Sequence, residues 1–494
     1  MTVKDADASD EAFGARIRSA VFWRSGSQIV AQAVSWISTL AVIRLLDPAD
    51  YGLFAMTQVV LNFMAFLNGY GLISALVQSE SLDSKTLRQA FGLMILLNGG
   101  LAAAQLALAP VAADYYDQPM VADLLRVQAV IYLTTPFISL PEALMGRSLD
   151  FRRPAVVNFI AALAAALTAI GCALAGMGVW TLIFAPIAGF WVKAIGYMIA
   201  TRFFVMPSFD FRGTGGMIAF GASLLGSQLF FIIQSQADVF IGGRVLEPHA
   251  LGLYAEALFL TQIFVAKFIP PLNDVAFPAY ARMQTDRARL TESFCKAMRL
   301  ILLIACPLYM GMAVTAEPLV ATLFGPKWLP MAPYVTIIAL AMPFMAAQVL
   351  FAPALNAIGR PGLTARISGI GAVIMPAAFL VGIRFGPTGL AWAWLMGMPV
   401  LTIATAFIAS SALDLRWSSL IEAAAPGAVS AAVMAVLVMA IDAALPPMPP
   451  QARLAILAIG GALSFAALLW LFARATVDEL IALVARRQAP PLPG

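Results

Sequence analysis

Charge is what this chain has least of. Lys, Arg, Asp and Glu make up 11% of its 494 residues, where soluble globular proteins carry about 25%, so a water-soluble fold is excluded. Histidine occurs once, at His249, and cysteine three times, at Cys172, Cys295 and Cys306. Three is an odd number, no spacing is C-x-x-C, and all three lie in or beside apolar stretches, which argues against a disulfide framework and a zinc site. There is no G-x-x-x-x-G-K-[ST] loop for a nucleotide, no H-E-x-x-H and no G-x-S-x-G. With one histidine there is no conventional nucleophile and base pair either, so an enzyme is not expected, nor direct drive by ATP. The net charge of +4 comes without a Lys/Arg stripe, which excludes nucleic acid as an expected partner.

What the sequence holds instead is apolar residues, 61% of the chain. A membrane span needs roughly 20 of them, and apolar runs set against breakers predict about fourteen transmembrane helices in an all-α integral membrane protein. The expected spans are 21–45, 53–78, 88–113, 119–145, 154–175 and 178–201, then 217–243, 251–279, 295–316, 330–356, 362–383 and 388–412, then 418–442 and 452–473. Breakers such as Asp47-Pro48, Glu247-Pro248, Gly325-Pro326 and Arg360-Pro361 separate them, because proline removes an amide donor and fixes φ. The expected organisation is a cytoplasmic N-terminal segment (1–20), a first six-helix lobe (21–212), a second (213–412), two further helices (413–473) and a cytoplasmic amphipathic tail (474–494). The apolar stretch after residue 20 is too long and too rich in Gln and Ser for a signal-peptide core.

Orientation follows from the basic residues in the connections. Nineteen lie on one side, among them Arg88, Arg147, Arg212, Arg287 and Arg416, and five on the other: Arg44, Arg244, Lys327, Arg384 and Arg453. That bias predicts cytoplasmic termini. The chain also repeats itself at an offset of 200. Residues Arg44 to Ala55 (RLLDPADYGLFA) lie over Arg244 to Ala255 (RVLEPHALGLYA), with six identities in twelve positions. Six helices begin and end on the same side, so the halves are expected to be parallel repeats related by an axis along the membrane normal.

Polar side chains inside spans are expensive, about 2.5 to 3.5 kcal/mol per charge on insertion scales, and should face a cavity. The first helix of each half is richest: Arg24, Ser27, Gln28, Gln32 and Ser35 in one, Gln228, Gln234, Gln236 and Asp238 in the other. Helix two adds Asn62, and helix eight adds Glu256 and Lys267. Arg24 admits a snorkelling reading, and Arg44 and Arg244 fit helix C-terminal caps. Glu256 is a candidate partner for Lys267. Asp238 suits ion coupling, as a proton carrier or in a sodium shell, and equally a salt bridge.

Four motifs carry a resemblance. Ala237 to Arg244 with Gly252 to Tyr254, the counterpart from Arg44 to Gly52, Pro278 to Gln284, and Leu323 to Trp328 are together similar to the bacterial polysaccharide flippases of the multidrug/oligosaccharidyl-lipid/polysaccharide exporter superfamily, over residues 15–415. The resemblance implies a V-shaped bundle in the bacterial inner membrane. It implies that an undecaprenyl-pyrophosphate-linked oligosaccharide is moved between leaflets by alternating access, with no cofactor and with sodium or proton coupling. Arg24 and Lys267, and less strongly Arg44 and Arg244, then suit the phosphates; Gln28, Gln32, Asn62, Gln228, Gln234 and Gln236 suit sugar hydroxyls. A monomer is expected, working with membrane lipid and, by resemblance, a polysaccharide polymerase and a chain-length regulator. The alternatives are a small-molecule exporter of the same fold and a polysaccharide polymerase, the latter disfavoured by the short outer loops.

Overall fold

The structure, a computed structural model, describes residues 30–67, 84–147, 152–202, 205–211, 215–472 and 474. Among these, regular structure is helical throughout. In chain order the helices are α1 (Val30–Leu45), α2 (Pro48–Leu67), α3 (Ser84–Tyr116), α4 (Pro119–Gln128), α5 (Val130–Arg147), α6 (Arg152–Leu174), α7 (Trp180–Thr201) and α8 (Gly215–Val245). They continue with α9 (Pro248–Arg282), α10 (Arg287–Val314), α11 (Ala316–Leu323), α12 (Ala332–Gln348), α13 (Phe351–Ala357), α14 (Pro361–Gly382), α15 (Gly386–Ser410), α16 (Trp417–Ala444) and α17 (Pro450–Phe472). Ten stretches among the described residues are long and apolar enough to cross a membrane, and the chain is a multi-pass membrane protein.

The proline breakers do more than stop helices. Pro48, Pro119, Pro248, Pro361 and Pro450 each open the next one, because the first helical residue has no use for an amide donor and wants the φ that the ring imposes. Helix α2 therefore starts at Pro48, five residues before the expected boundary at 53. The amide of Asp47 donates to the Asp50 carboxylate at 3.1 Å, a capping-box contact that satisfies the helix entry. Two expected single spans are interrupted, at Ala129 and at Val349-Leu350, but these residues keep right-handed helical φ and ψ, so the chain stays helical through each break.

The chain divides into two compact units, one of residues 1–232 with Gly243–Gly252, the other of Ile233–Gly242 with Leu253–Gly494. Within the first, α6 packs on α7, α5 on α7, and α3 on α4 and α5; within the second, α14 packs on α15, α12 on α15, and α10 on α12. Each unit also clamps a connecting segment to a helix start. In the first, Arg88 Nε donates to Met206 O at 3.1 Å and Gln89 Nε2 to Asp210 O at 2.6 Å; Gly92 leaves the room that lets Ser208 lie against α3. In the second, Arg287 Nη1 donates to Ala412 O and Thr291 Oγ1 to Leu413 O. In the second unit α16 and α17 are joined by a two-pronged ion pair, Arg453 Nε to Asp442 Oδ1 at 2.6 Å and Nη2 to Oδ2 at 2.8 Å.

The closest backbone approach in the first unit is reciprocal. A Cβ on Gly52 would overlap the carbonyl oxygen of Pro248, and a Cβ on Gly252 that of Pro48. Both pairs stand at the offset of 200, so the starts of α2 and α9 cross on their two glycines. Gly52→Ala and Gly252→Ala are each expected to destabilise the protein by about 1 to 3 kcal/mol through overpacking, read as a lower unfolding midpoint in detergent. Gly99→Ala and Gly369→Ala add a methyl that meets nothing within 4 Å and serve as controls; four equal midpoints would refute the close crossing.

Candidate functional site

Asp238 is the acid that the apolar context of α8 makes hardest to accommodate, and the second unit builds a pocket of donors around it. Tyr254 on α9 donates its Oη–H to Asp238 Oδ2 at 2.8 Å. Trp394 on α15 shares its Nε1–H between Oδ2, at 3.2 Å, and Tyr254 Oη, at 2.9 Å. The amide of Val239 lies 2.8 Å from Oδ1. Asp238 and Tyr254 have no exposed surface, and Trp394 packs its ring against Phe379 with centroids 5.5 Å apart. Three helices thus meet at one carboxylate in a closed donor–acceptor triangle, an arrangement that meets the requirement that polar groups at membrane depth be paired.

Gln234 lies one helical turn before Asp238, on the same face of α8. Its Oε1 occupies the place that a side chain at residue 371 of α14 would fill, so Gly371 is what admits the amide there. Gln236 is half-buried. Lys267 is exposed on α9, beside the stacked rings of Phe264 and Phe268, 5.3 Å apart, and it makes no ion pair with a described residue. Glu256 is not its partner: eleven residues separate them, about 16 Å along the helix. Glu256 is 9% exposed, and its Oε2 has no hydrogen-bond partner among the described residues.

In the first unit, Gln32, Asn62 and Arg44 are exposed. Arg244 donates to the carbonyls of Asp114, at 3.1 Å, and of Tyr115 and lies over the Tyr115 ring at 5.5 Å. Its guanidinium therefore caps the C-terminal end of α3, where a cation suits the helix dipole. Lys193 pairs with Glu142 at 3.7 Å and sits over the Tyr197 ring. Arg24 and Gln28 lie outside the described residues, and so does the side chain of Gln228 on α8. No group of three or more His, Cys, Asp or Glu suited to a metal occurs among the described residues.

The structure thus brings Asp238 and Gln234 together and keeps Lys267 apart from Glu256. Tyr254 and Trp394 are partners that sequence reasoning did not single out. For Tyr254 a signal existed: at the offset of 200 it lies over Phe54, as Asp238 lies over Ser38, so the acid and the hydroxyl that binds it are both present at one set of positions and both absent at the other. Trp394 had none, being an aromatic in an apolar run. Tyr254→Phe and Trp394→Phe are each expected to destabilise the protein by about 1 to 3 kcal/mol, the penalty for leaving a buried acceptor short of its donor. Paired with Asp238→Leu in double-mutant cycles read by thermal unfolding, the aromatic substitutions should cost much less; additive losses would refute the triangle.

Against known proteins, the family described as "Polysaccharide biosynthesis protein" matches residues 41–333. The chain is 24% identical to the succinoglycan biosynthesis transport protein ExoT of Rhizobium meliloti, over 78% of each chain. It is 21% identical to the lipopolysaccharide biosynthesis protein WzxC of Escherichia coli, over 62% of this chain and 63% of that one. It is 25% identical to the teichuronic acid biosynthesis protein TuaB of Bacillus subtilis, over 57% and 58%. Among solved structures, the lipid II flippase MurJ in an inward closed conformation aligns with a TM-score of 0.76 at 11% identity, covering 92% of this chain and 99% of that one. An inward-facing multidrug resistance transporter of the MATE family aligns at 0.56, with 13% identity and 81% and 94% coverage. At such identities the structural likeness establishes the fold.

Proposed function

Because this chain belongs to the polysaccharide biosynthesis protein family, we propose that it is a secondary transporter that flips undecaprenyl-pyrophosphate-linked oligosaccharide units from the inner to the outer leaflet of the bacterial inner membrane. The observation that carries this reading is the family match over residues 41–333. Relatives named for succinoglycan, lipopolysaccharide and teichuronic acid biosynthesis support a polysaccharide precursor as cargo, and the fold shared with a lipid II flippase suits a lipid-linked one. The repeats at 21–212 and 213–412, the two added helices at 413–473 and the cytoplasmic termini belong to this proposal. Matching neighbour relations in the two units and the reciprocal Gly52 and Gly252 contacts favour the duplication. A polymerase and a chain-length regulator are the proposed partners.

In this reading Lys267, an exposed cation within an apolar helix, and Arg24 receive the phosphates. The amides of Gln28, Gln32, Asn62, Gln228, Gln234 and Gln236 meet sugar hydroxyls, acting as donors and acceptors. Arg44 remains a candidate for phosphate, and Arg244 serves first as the cap of α3. Asp238 is the proposed coupling acid. An ion that reaches it has to displace Tyr254 or Trp394, which ties ion binding to the contact between α8, α9 and α15.

Lys267→Ala is expected to lower polysaccharide export about tenfold or more while the protein still inserts, since a charge-assisted hydrogen bond is worth about 1.5 to 3 kcal/mol; Arg24→Ala should act in the same direction. Deletion of the gene should leave single repeat units on their lipid carrier, protected from an impermeant sugar-modifying reagent. Export at the wild-type level in both variants would remove the phosphate assignment. Accessible single units would point to a polymerase, and no accumulation to a small-molecule exporter.

A further inference from the structure

Residues 205–211, between α7 and α8, turn two large apolar side chains outward. Met206 is 74% and Phe209 56% exposed, whereas Val205 packs against the core around Phe91 and Leu140. The segment has no helix or strand of its own; α3 holds it. The Ser208 amide donates to Arg88 O at 2.8 Å, and the side chains of Arg88 and Gln89 donate to the carbonyls of Met206 and Asp210. Met206 and Phe209 therefore stand out from a backbone that is anchored on both sides of them. Cations gather along it. Arg88 Nε lies 3.1 Å from Met206 O, and Arg153 Nη1 lies 3.2 Å from Ala200 O. Arg202, the left-handed residue that ends α7, stands between those two carbonyls in the chain, which are at most about 20 Å apart. Lys85 precedes Arg88 by three residues on the same face of α3. All four cations are exposed, and against them residues 205–211 bring one acid, Asp210.

The helices that carry these cations set their level. Lys85 and Arg88 lie at the start of the span Ser84–Tyr116, Arg153 at the start of Arg152–Leu174, and Arg202 just past the end of Trp180–Thr201. Each is within about 6 Å of a span end, where hydrocarbon gives way to headgroups. Held in water at that level, Met206 and Phe209 would be an exposed apolar pair; set into the acyl boundary, they lose that cost. The cations then stand at the height of lipid phosphates. A guanidinium is a planar fork of five N–H donors that suits a phosphate. Arg88 commits Nε to a carbonyl, and no described residue takes its Nη groups. Charge selects among the lipids. A choline headgroup brings its own cation to a positive patch, whereas an anionic headgroup brings only what the patch attracts.

We propose that Lys85, Arg88, Arg153 and Arg202, with Met206 and Phe209, form a binding site for an anionic phospholipid of the phosphatidylglycerol class at this end of the first unit. The site stands whatever the cargo is, since its test contains no lipid-linked sugar. The full-length protein in nonionic detergent is titrated with phosphatidylglycerol or phosphatidylcholine, and bound lipid is counted by mass spectrometry of the intact complex. Phosphatidylglycerol is expected to bind about tenfold more tightly or better. Lys85→Gln and Arg202→Gln should each weaken it about fivefold, the share of one cation beside an anionic lipid, and leave phosphatidylcholine unchanged. Arg88→Gln also removes the clamp on Met206, so Arg88→Lys, which keeps the charge, should bind as the wild type does. Phe209→Ser should weaken both lipids alike. Arg384→Gln, which removes an exposed cation of the second unit, is the control. Equal binding of the two lipids, wild-type binding in the Lys85 and Arg202 variants, or an equal loss in Arg384→Gln would overturn the site. So would inorganic pyrophosphate bound with the same dependence on Arg202, which would make the ligand a free phosphate.

Discussion

Hydrocarbon offers no partner to a polar group, and most of the specific features of this protein follow from that single constraint. Each amide, carboxylate or guanidinium placed within the spans must find its complement inside the chain. The Asp238 carboxylate does so by drawing Tyr254 and Trp394 from two other helices. The chain has few ionic groups to deploy, and two of the described pairs hold separate helices together: Arg453 with Asp442 joins α16 to α17, and Lys193 with Glu142 joins α5 to α7. Arginines near span ends do similar work on free carbonyls. Arg88 and Arg287 each reach a connecting segment, and Arg244 the end of α3. Each of these contacts sets a cation against a backbone carbonyl near a helix end.

The fold was legible where the physics is local. Pro48 and Pro248 fix φ wherever they stand, so their role as boundaries could be read from the sequence; they open helices because the first helical residue needs no amide donor, and at Pro48 the contact between Asp47 and Asp50, spanning only three residues, satisfies the entry as well. Gly52 and Gly252 were visible as identities in the repeat. Their purpose was not, because it is set by the backbone of the opposite segment, 196 residues on for Gly52 and 204 back for Gly252. Sequence shows that a side chain is absent; only the packed structure shows what takes its place.

The site divides along the same line. Asp238 and Lys267 stood out because a charge in an apolar run has few innocent explanations. Their fates diverge for reasons of distance: Asp238 is satisfied by groups 16 and 156 residues away, whereas Glu256, the partner expected for Lys267, lies on the same helix but too far along it. Arg244 illustrates a fair ambiguity, since a guanidinium beside a helix C-terminus serves phosphate and carbonyl equally well until the carbonyls of Asp114 and Tyr115 are seen beneath it.

A carboxylate held in a closed triangle is a different starting point for coupling from one that waits in water. With Tyr254 and Trp394 both directed at Asp238 Oδ2, the coupling proposed for Asp238 has an ion at that oxygen take the place of a donor. In that proposal, binding of an ion and closure of α8, α9 and α15 on one another oppose each other. By linkage, whatever free energy the ion removes from the closed arrangement, closure removes from ion affinity. The acid and the hydroxyl stand together at positions 238 and 254, where the residues 200 earlier are Ser38 and Phe54. Ser38 and Phe54 cannot form the same carboxylate–hydroxyl contact, so the sequence repeat does not carry it over to the earlier positions.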